Sequence, residues 1–267
     1  MTNNIFKALT VCVIFVVLSI SGQILAQEKS ENAAETKAKP AKISVEEIVK
    51  KMDAKISGYD DQYMRISMNI YDVDGKMKSY GMEMYQKGTE KRLVKFTSGE
   101  MKGFATLILD RNNVWAYLPA FKKVRRVAAT NMKQSLAGSD FTNDDMAVGS
   151  WGNDWDITME KEDEKFYYLK AFPKKGKNIT YASALLVVEK GTYYQDHVDY
   201  FNEAGEKVKV YFFKNLTDFG LDIKRHQIVG MLDPRTGHRT ELFVHEMKNN
   251  QGLKDKMFTK RHLQWGR

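Results

Sequence analysis

Few side chains in this sequence stand at spacings that could carry covalent chemistry. Gly149-Ser150-Trp151-Gly152 sets a serine among glycines, but a nucleophile elbow needs one residue between the serine and each glycine, and Gly149 directly precedes Ser150. His245-Glu246 would begin a zinc-binding helix only with a second histidine at position 249, which is Asn. Gly176-Lys177 lacks the phosphate-loop glycine in register. The five histidines, His197, His226, His238, His245 and His262, are scattered. Asp140, Asp144 and Asp145 could gather round a cation, yet acids at the start of a helix complement its dipole without any metal. No catalytic residue, metal or cofactor is therefore expected, and a lipid-directed enzyme ranks below binding functions because no nucleophile and base can be paired.

One polar run is more informative. Phe121-Lys122-Lys123-Val124-Arg125-Arg126-Val127, read as a strand, places Lys122 and Arg126 on one face and Lys123 and Arg125 on the other. A strand charged on both faces cannot lie between two layers, so an edge or rim strand is expected, where Lys and Arg also block aberrant pairing. Such a rim attracts anionic headgroups or an acidic patch on a partner. A nucleic acid also fits a basic strand, but no recognised binding module is present.

The elements that position these groups are legible from periodicity. Near the start, Lys7 precedes the apolar run Ala8 to Leu18, and small and polar residues lead to Ala26-Gln27. This reads as a secretory signal, residues 1–26, cleaved after Ala26. An uncleaved anchor is the other reading of the same run, which is marginal for a spanning helix. Cys12, the only cysteine of the 267 residues, lies inside the apolar run and not at a lipoprotein cleavage site, so the mature chain is expected to be thiol-free. Residues 27–43 are polar, without an aromatic, and read as a flexible linker; residues 44–267 form one domain. That domain opens with a helix: Ser44 and Glu47 make a capping box, Ile43 and Ile48 a hydrophobic staple, and Gly58 a stop.

From there the pattern has period two. Met64, Ile66, Met68 and Ile70 alternate with polar residues, Asp74-Gly75 signals a hairpin, and Tyr80, Met82 and Met84 continue on the return strand. Further strands are expected at 92–97, 104–110, 114–118, 122–128, 156–160, 165–172, 182–189, 193–201, 207–214, 222–232 and 239–247. Residues 131–152 break the pattern, with Thr142 and Asp145 at capping-box spacing. Two readings of this insertion stay open: a lid over a mouth, or a packed crossover between two halves of the sheet.

About a dozen strands is too many for a small side-chain-filled barrel, and the helices are too few to plug a larger one. The expected fold is mainly β: a curved, incomplete antiparallel β-barrel of about eleven to thirteen strands, with a helical lid over an apolar hollow. Met64, Ile66, Met68, Met82, Met84 and Leu107 are the candidate cavity lining, since unbranched thioethers repack around varied apolar guests; an ordinary methionine-rich core is the competing reading. Phe141 and Met146 are the candidate gate, and Lys122, Arg125 and Arg126 the candidate rim.

The string Trp115-Ala116-Tyr117-Leu118-Pro119-Ala120-Phe121-Lys122-Lys123-Val124-Arg125-Arg126, followed by Gly138-Ser139-Asp140-Phe141-Thr142 and Asp145-Met146, closely resembles the LolA-like outer membrane lipoprotein-sorting protein family. Shorter matches occur at Leu93-Val94-Lys95-Phe96, Thr236-Gly237-His238-Arg239-Thr240 and Phe258-Thr259-Lys260-Arg261-His262-Leu263. The resemblance implies a periplasmic carrier, expected to be a monomer, whose cavity takes acyl chains of a lipoprotein or other lipid. It also implies an inner-membrane transporter of the resistance-nodulation-division type as partner. The competing class is an exported non-carrier interaction module, accessory to such a transporter, docking through its basic strand. No nucleic acid partner is expected.

Overall fold

In the computed structural model, described over residues 43–147, 150–221 and 224–265, the alternation seen in the sequence becomes thirteen antiparallel strands in one sheet. The expected signal sequence, its expected cleavage site and residues 27–42 of the expected linker lie outside the described residues. The first helix, α1 (Val45–Ser57), is capped as its sequence demands: the Ser44 hydroxyl accepts from the Glu47 amide at 3.1 Å. Ile48, Val49 and Met52 form its buried stripe.

The first six strands are β1 (Asp61–Tyr71), β2 (Met77–Lys87), β3 (Lys91–Phe96), β4 (Ala105–Ile108), β5 (Val114–Leu118) and β6 (Lys123–Arg126). After a short helix, α2 (Trp151–Asp154), follow β7 (Trp155–Glu162), β8 (Phe166–Pro173), β9 (Ser183–Glu189), β10 (Gln195–Phe201), β11 (Lys207–Thr217), β12 (Arg225–Leu232) and β13 (Arg239–Asn249). The chain closes with α3 (Lys260–Trp265). The expected strand start at Asp222 falls outside the described residues.

The strand order is β6-β5-β4-β3-β2-β1-β13-β12-β11-β10-β9-β8-β7. The chain thus begins in the middle of the sheet, meanders out to the β6 edge, crosses to the β7 edge, and meanders back until β13 pairs with β1. Since β6 and β7 do not pair, the barrel is not closed. The turn at Gly75, with φ of 79°, needs the left-handed freedom of glycine, and the Asp72 carboxylate accepts the Asp74 and Lys76 amides across it.

The central insertion joins the two halves of the sheet: the chain leaves the β6 edge after Arg126 and enters the β7 edge at Trp155, with the described residues 127–147 of this crossover on the path between them. The Thr142–Asp145 capping box forms in both directions: Asp145 Oδ2 accepts from the Thr142 amide at 2.7 Å, and Thr142 Oγ1 from the Asp145 amide at 3.1 Å. It starts a single 3-10 turn, Asp145–Ala147.

The two faces of the sheet have different coverings. On the inner face, α1 and the crossover cover Leu169, Leu186, Val198 and Met231 in one half, and Leu136 of the crossover packs on Ile66, Met68 and Met82 in the other. On the outer face, α3 lies over β4, β5 and β6, and Leu93 of β3, Leu107 and Tyr117 cluster with Phe258 and Leu263. No helix among the described residues is long and apolar enough to cross a membrane.

Candidate functional site

Inner-face packing is incomplete. A cavity of about 210 Å³ lies between α1, the crossover and the sheet. Met64 and Ile66 of β1, Met82 and Met84 of β2, Val229 and Met231 of β12, and Leu242 and Val244 of β13 make its floor. Met52 and Ile56 of α1, with Phe141 and Met146 of the crossover, lie against it from the other side. Tyr200, Tyr211 and Trp151 form an aromatic wall. Burial pushes the Tyr211 phenol up to about 12 and Tyr200 well above the ordinary tyrosine range, so both hydroxyls stay protonated.

The structure brings together most of the residues expected to line a hollow, with two exceptions. Met68 shares the face of Met64 and Ile66 but is fully buried in the core and does not line the cavity. Leu107 lies on the opposite face: it pairs with Leu93, which pairs with Tyr85, whereas the cavity residue Met84 pairs with Val94. Strand parity therefore places Leu107 under α3, as part of the outer core.

The basic run is the β6 edge strand, as its two-faced charge requires, and Lys123, Arg125 and Arg126 are exposed. Lys122 corrects the strand reading. It adopts a left-handed conformation, φ 52°, at the end of a 3-10 turn Pro119–Phe121, and so stands before the strand instead of sharing a face with Arg126. Phe121, at the tip, is 70% exposed. None of Lys122, Arg125 and Arg126 lines the cavity.

The crossover is held by buried charge. Asp140 accepts from Lys209 Nζ at 2.7 Å and Thr240 Oγ1 at 2.9 Å, and lies 2.7 Å from His238 Nδ1, which fastens the segment to β11 and β13. Asp144 pairs with Arg111 and accepts the Thr180 amide at 2.9 Å; Arg111 also pairs with Asp154 at 3.1 Å, and Lys177 with Asp154 at 2.9 Å. The candidate cation ligands Asp140, Asp144 and Asp145 are thus spent on protein donors, and no metal-holding cluster occurs among the described residues. Asp145, which lines the cavity, is pushed up to about 6 by burial against the opposing pull of its Thr142 hydrogen bonds.

Sequence reasoning missed the polar end of the cavity. Gln62, Gln86 and Arg92 are cross-strand neighbours on β1, β2 and β3, in register with the apolar stripe. Arg92 is 8% exposed; its Nε donates to Gln86 Oε1 at 2.9 Å and its Nη1 to the Met146 carbonyl at 2.6 Å. Burial lowers its pKa. Arg225 Nη2 donates to the Ile56 carbonyl at 2.9 Å and Nη1 to that of Lys55, closing the C-terminal end of α1. A signal was available: Arg92 has the parity of Val94 and Phe96, a charge in line with an apolar face.

A sequence profile for a family described as an uncharacterized protein matches residues 88–265. No curated protein matches the sequence. Among solved structures, the chain is similar to a domain described as an outer membrane lipoprotein-sorting protein from Vibrio parahaemolyticus, with 22% identity, TM-score 0.73, and coverage of 82% of this chain and 97% of that one. A DUF1329 family protein from Desulfovibrio piger matches at 25% identity and TM-score 0.74, over 81% of this chain and 96% of that one. A LolA superfamily protein from Nitrosomonas europaea matches at 22% identity and TM-score 0.71, over 83% of this chain and 100% of that one. The chain shares the fold of these three structures, one of them a LolA superfamily protein.

Proposed function

We propose that this chain, which belongs to the uncharacterized family whose profile spans residues 88–265 and has the LolA-superfamily fold, is a periplasmic carrier that shields the acyl chains of a lipoprotein or lipid and passes them between membrane partners. The observation that carries this reading is the apolar cavity left where two covering layers meet the sheet. The lipoprotein-sorting description of the Vibrio domain supports it.

Each methylene group withdrawn from water contributes about 0.8 kcal/mol, so a long chain leaves such a cavity slowly unless another apolar site receives it. Loading and unloading therefore proceed by exchange with membrane partners, one of them an inner-membrane transporter of the resistance-nodulation-division type. Met64, Ile66, Met82 and Met84 contact the chain, and the Phe141–Met146 stretch gates it. Because Asp140 and Asp144 fasten this stretch on both sides of Phe141, the gate is a local movement of Phe141, Met146 and the facing end of α1. The β6 edge, with Lys122, Arg125 and Arg126, faces the anionic membrane or the transporter; residues 111–139 contain no Asp or Glu.

Native mass spectrometry of protein purified from its own periplasm tests the carrier reading. Co-purified acyl species, with uptake of a fluorescent fatty acid by delipidated protein, are the expected result. Protein that is consistently empty and takes up none overturns it.

A further inference from the structure

The cavity has a chemically distinct end. Antiparallel order brings the start of β1, the end of β2, the starts of β3, β10 and β12, and the end of β13 to one end of the sheet. Gln62, Gln86, Arg92, Gln195 and Arg225 stand there and line the same cavity as the methionines. Tyr59 lines this end as well, with the Arg225 guanidinium 5.6 Å from the centre of its ring.

Two observations at this end call for a ligand. First, the hydrogen bonds of Arg92 and Arg225 to described residues go to neutral oxygens: one side-chain amide and three backbone carbonyls. Carbonyls satisfy N–H geometry but bring no formal counter-charge; those at the end of α1 offer the part-buried Arg225 the helix dipole, whereas Arg92 is buried, and a buried charge without a counter-charge is costly. The acids that share the cavity are engaged elsewhere: Asp53 accepts from Ser150 Oγ and the Trp151 and Gly152 amides, and Asp145 from Thr142 and Tyr181. Second, Gln62 Oε1 and Gln195 Nε2 are buried without a hydrogen-bond partner among the described residues, and their side chains are 0% and 5% exposed. Both residues line the cavity, and a buried amide oxygen and amide N–H with unused bonding capacity beside it suit a polar guest.

We infer that the guest carries an anionic headgroup, a carboxylate or a phosphate, which Arg92 and Arg225 neutralise while its apolar chain lies along Met64, Met82 and Met84. Arginine suits this task because its planar fork matches the two oxygens of either anion. Gln195 Nε2 donates to the same headgroup, and Gln62 Oε1 accepts from a hydroxyl or amide next to it. This inference rests on the carrier reading and narrows it to anionic amphiphiles.

The test uses delipidated protein and three probes with the same sixteen-carbon chain: hexadecanoate, hexadecyl phosphate and hexadecanol, at pH 8. At least one anion is expected to bind about tenfold or more tighter than the alcohol, the scale of one charge-assisted hydrogen-bond pair. The tighter of the two anions then tells a fatty-acid source from a phospholipid source. In Arg225→Gln and Arg92→Gln the preference falls below about threefold while hexadecanol binding is kept, which separates lost headgroup recognition from a collapsed cavity. Hexadecanol binding as tightly as both anions overturns the headgroup inference and leaves the carrier reading standing. Failure of all three to bind overturns both. If Arg92→Gln does not fold, the wild-type selectivity and Arg225→Gln decide the matter alone.

Discussion

Arg111 and Arg92 are both buried inner arginines of the same half of the chain, yet their surroundings differ. Arg111 is flanked by Asp144 and Asp154, with Lys177 and Thr180 completing the set. Arg92 is flanked by a glutamine and a backbone carbonyl. In the first case the chain supplies its own counter-charge and uses it to fasten the crossover. In the second it leaves the charge open toward the cavity. A buried cation whose partner is built in is part of the architecture, and one with no counter-charge among the described residues points to what the architecture holds.

The largest expected effect lies at the first arginine. Arg111→Met strands Asp144 without a cation and leaves Asp154 only the half-exposed Lys177, so a loss of about 3–5 kcal/mol in urea unfolding is expected; a loss below 1 kcal/mol would erase the contrast. Arg92→Met, in comparison, removes an uncompensated charge along with two hydrogen bonds. Its unfolding free energy should stay within about 1 kcal/mol of the parent, while anion selectivity disappears.

Next come the residues that separate lining from core. Met68→Trp overpacks a sealed site and should cost about 1–3 kcal/mol. Met84→Trp, on the cavity wall, should lower fatty-acid uptake at a smaller cost in stability. Equal loss of stability in both would mean that the cavity is ordinary packed core.

The smallest effect concerns acid. The Asp145 carboxyl is raised above its unfolded value, so the folded state holds the proton more tightly, and its contribution to stability falls as pH rises from about 4 to about 6. Above that window the charged carboxylate is carried at full cost. Asp145→Asn should flatten this part of the stability–pH curve, seen as a difference in urea midpoints between pH 4.5 and 7; an unchanged slope would show that Asp145 is already ionised when folded.

Much of the architecture could be read from residue alternation. The stripe Met64, Ile66, Met68, Ile70 is the inner face of β1, and Ser44 and Gly58 bound α1 where their chemistry requires. Period-two patterns name the faces of one strand, however, not which face of the next strand continues them. Leu107 went to the wrong side for that reason, since only the β3–β4 register fixes its parity. Met68 and Met64 are indistinguishable by pattern, and what separates them is where the cavity lies under α1 and the crossover, whose path depends on strand order. Pattern alone hides Arg92, Gln62 and Gln86, because a polar residue ending an apolar stripe looks like the place where a strand leaves the core. Here it is where the core becomes a binding surface.

The pairing of β1 with β13 has a consequence for how the molecule is made. Residues 61–71 are synthesised early, and β2 protects one of their edges at once, but the other edge waits for residues 239–249. Until the last strand arrives, a methionine-rich strand stands open in the middle of a half-built sheet, offering its backbone to any passing chain. The seam is also among the longest-range contacts in the fold, so its closure belongs to the slow end of folding.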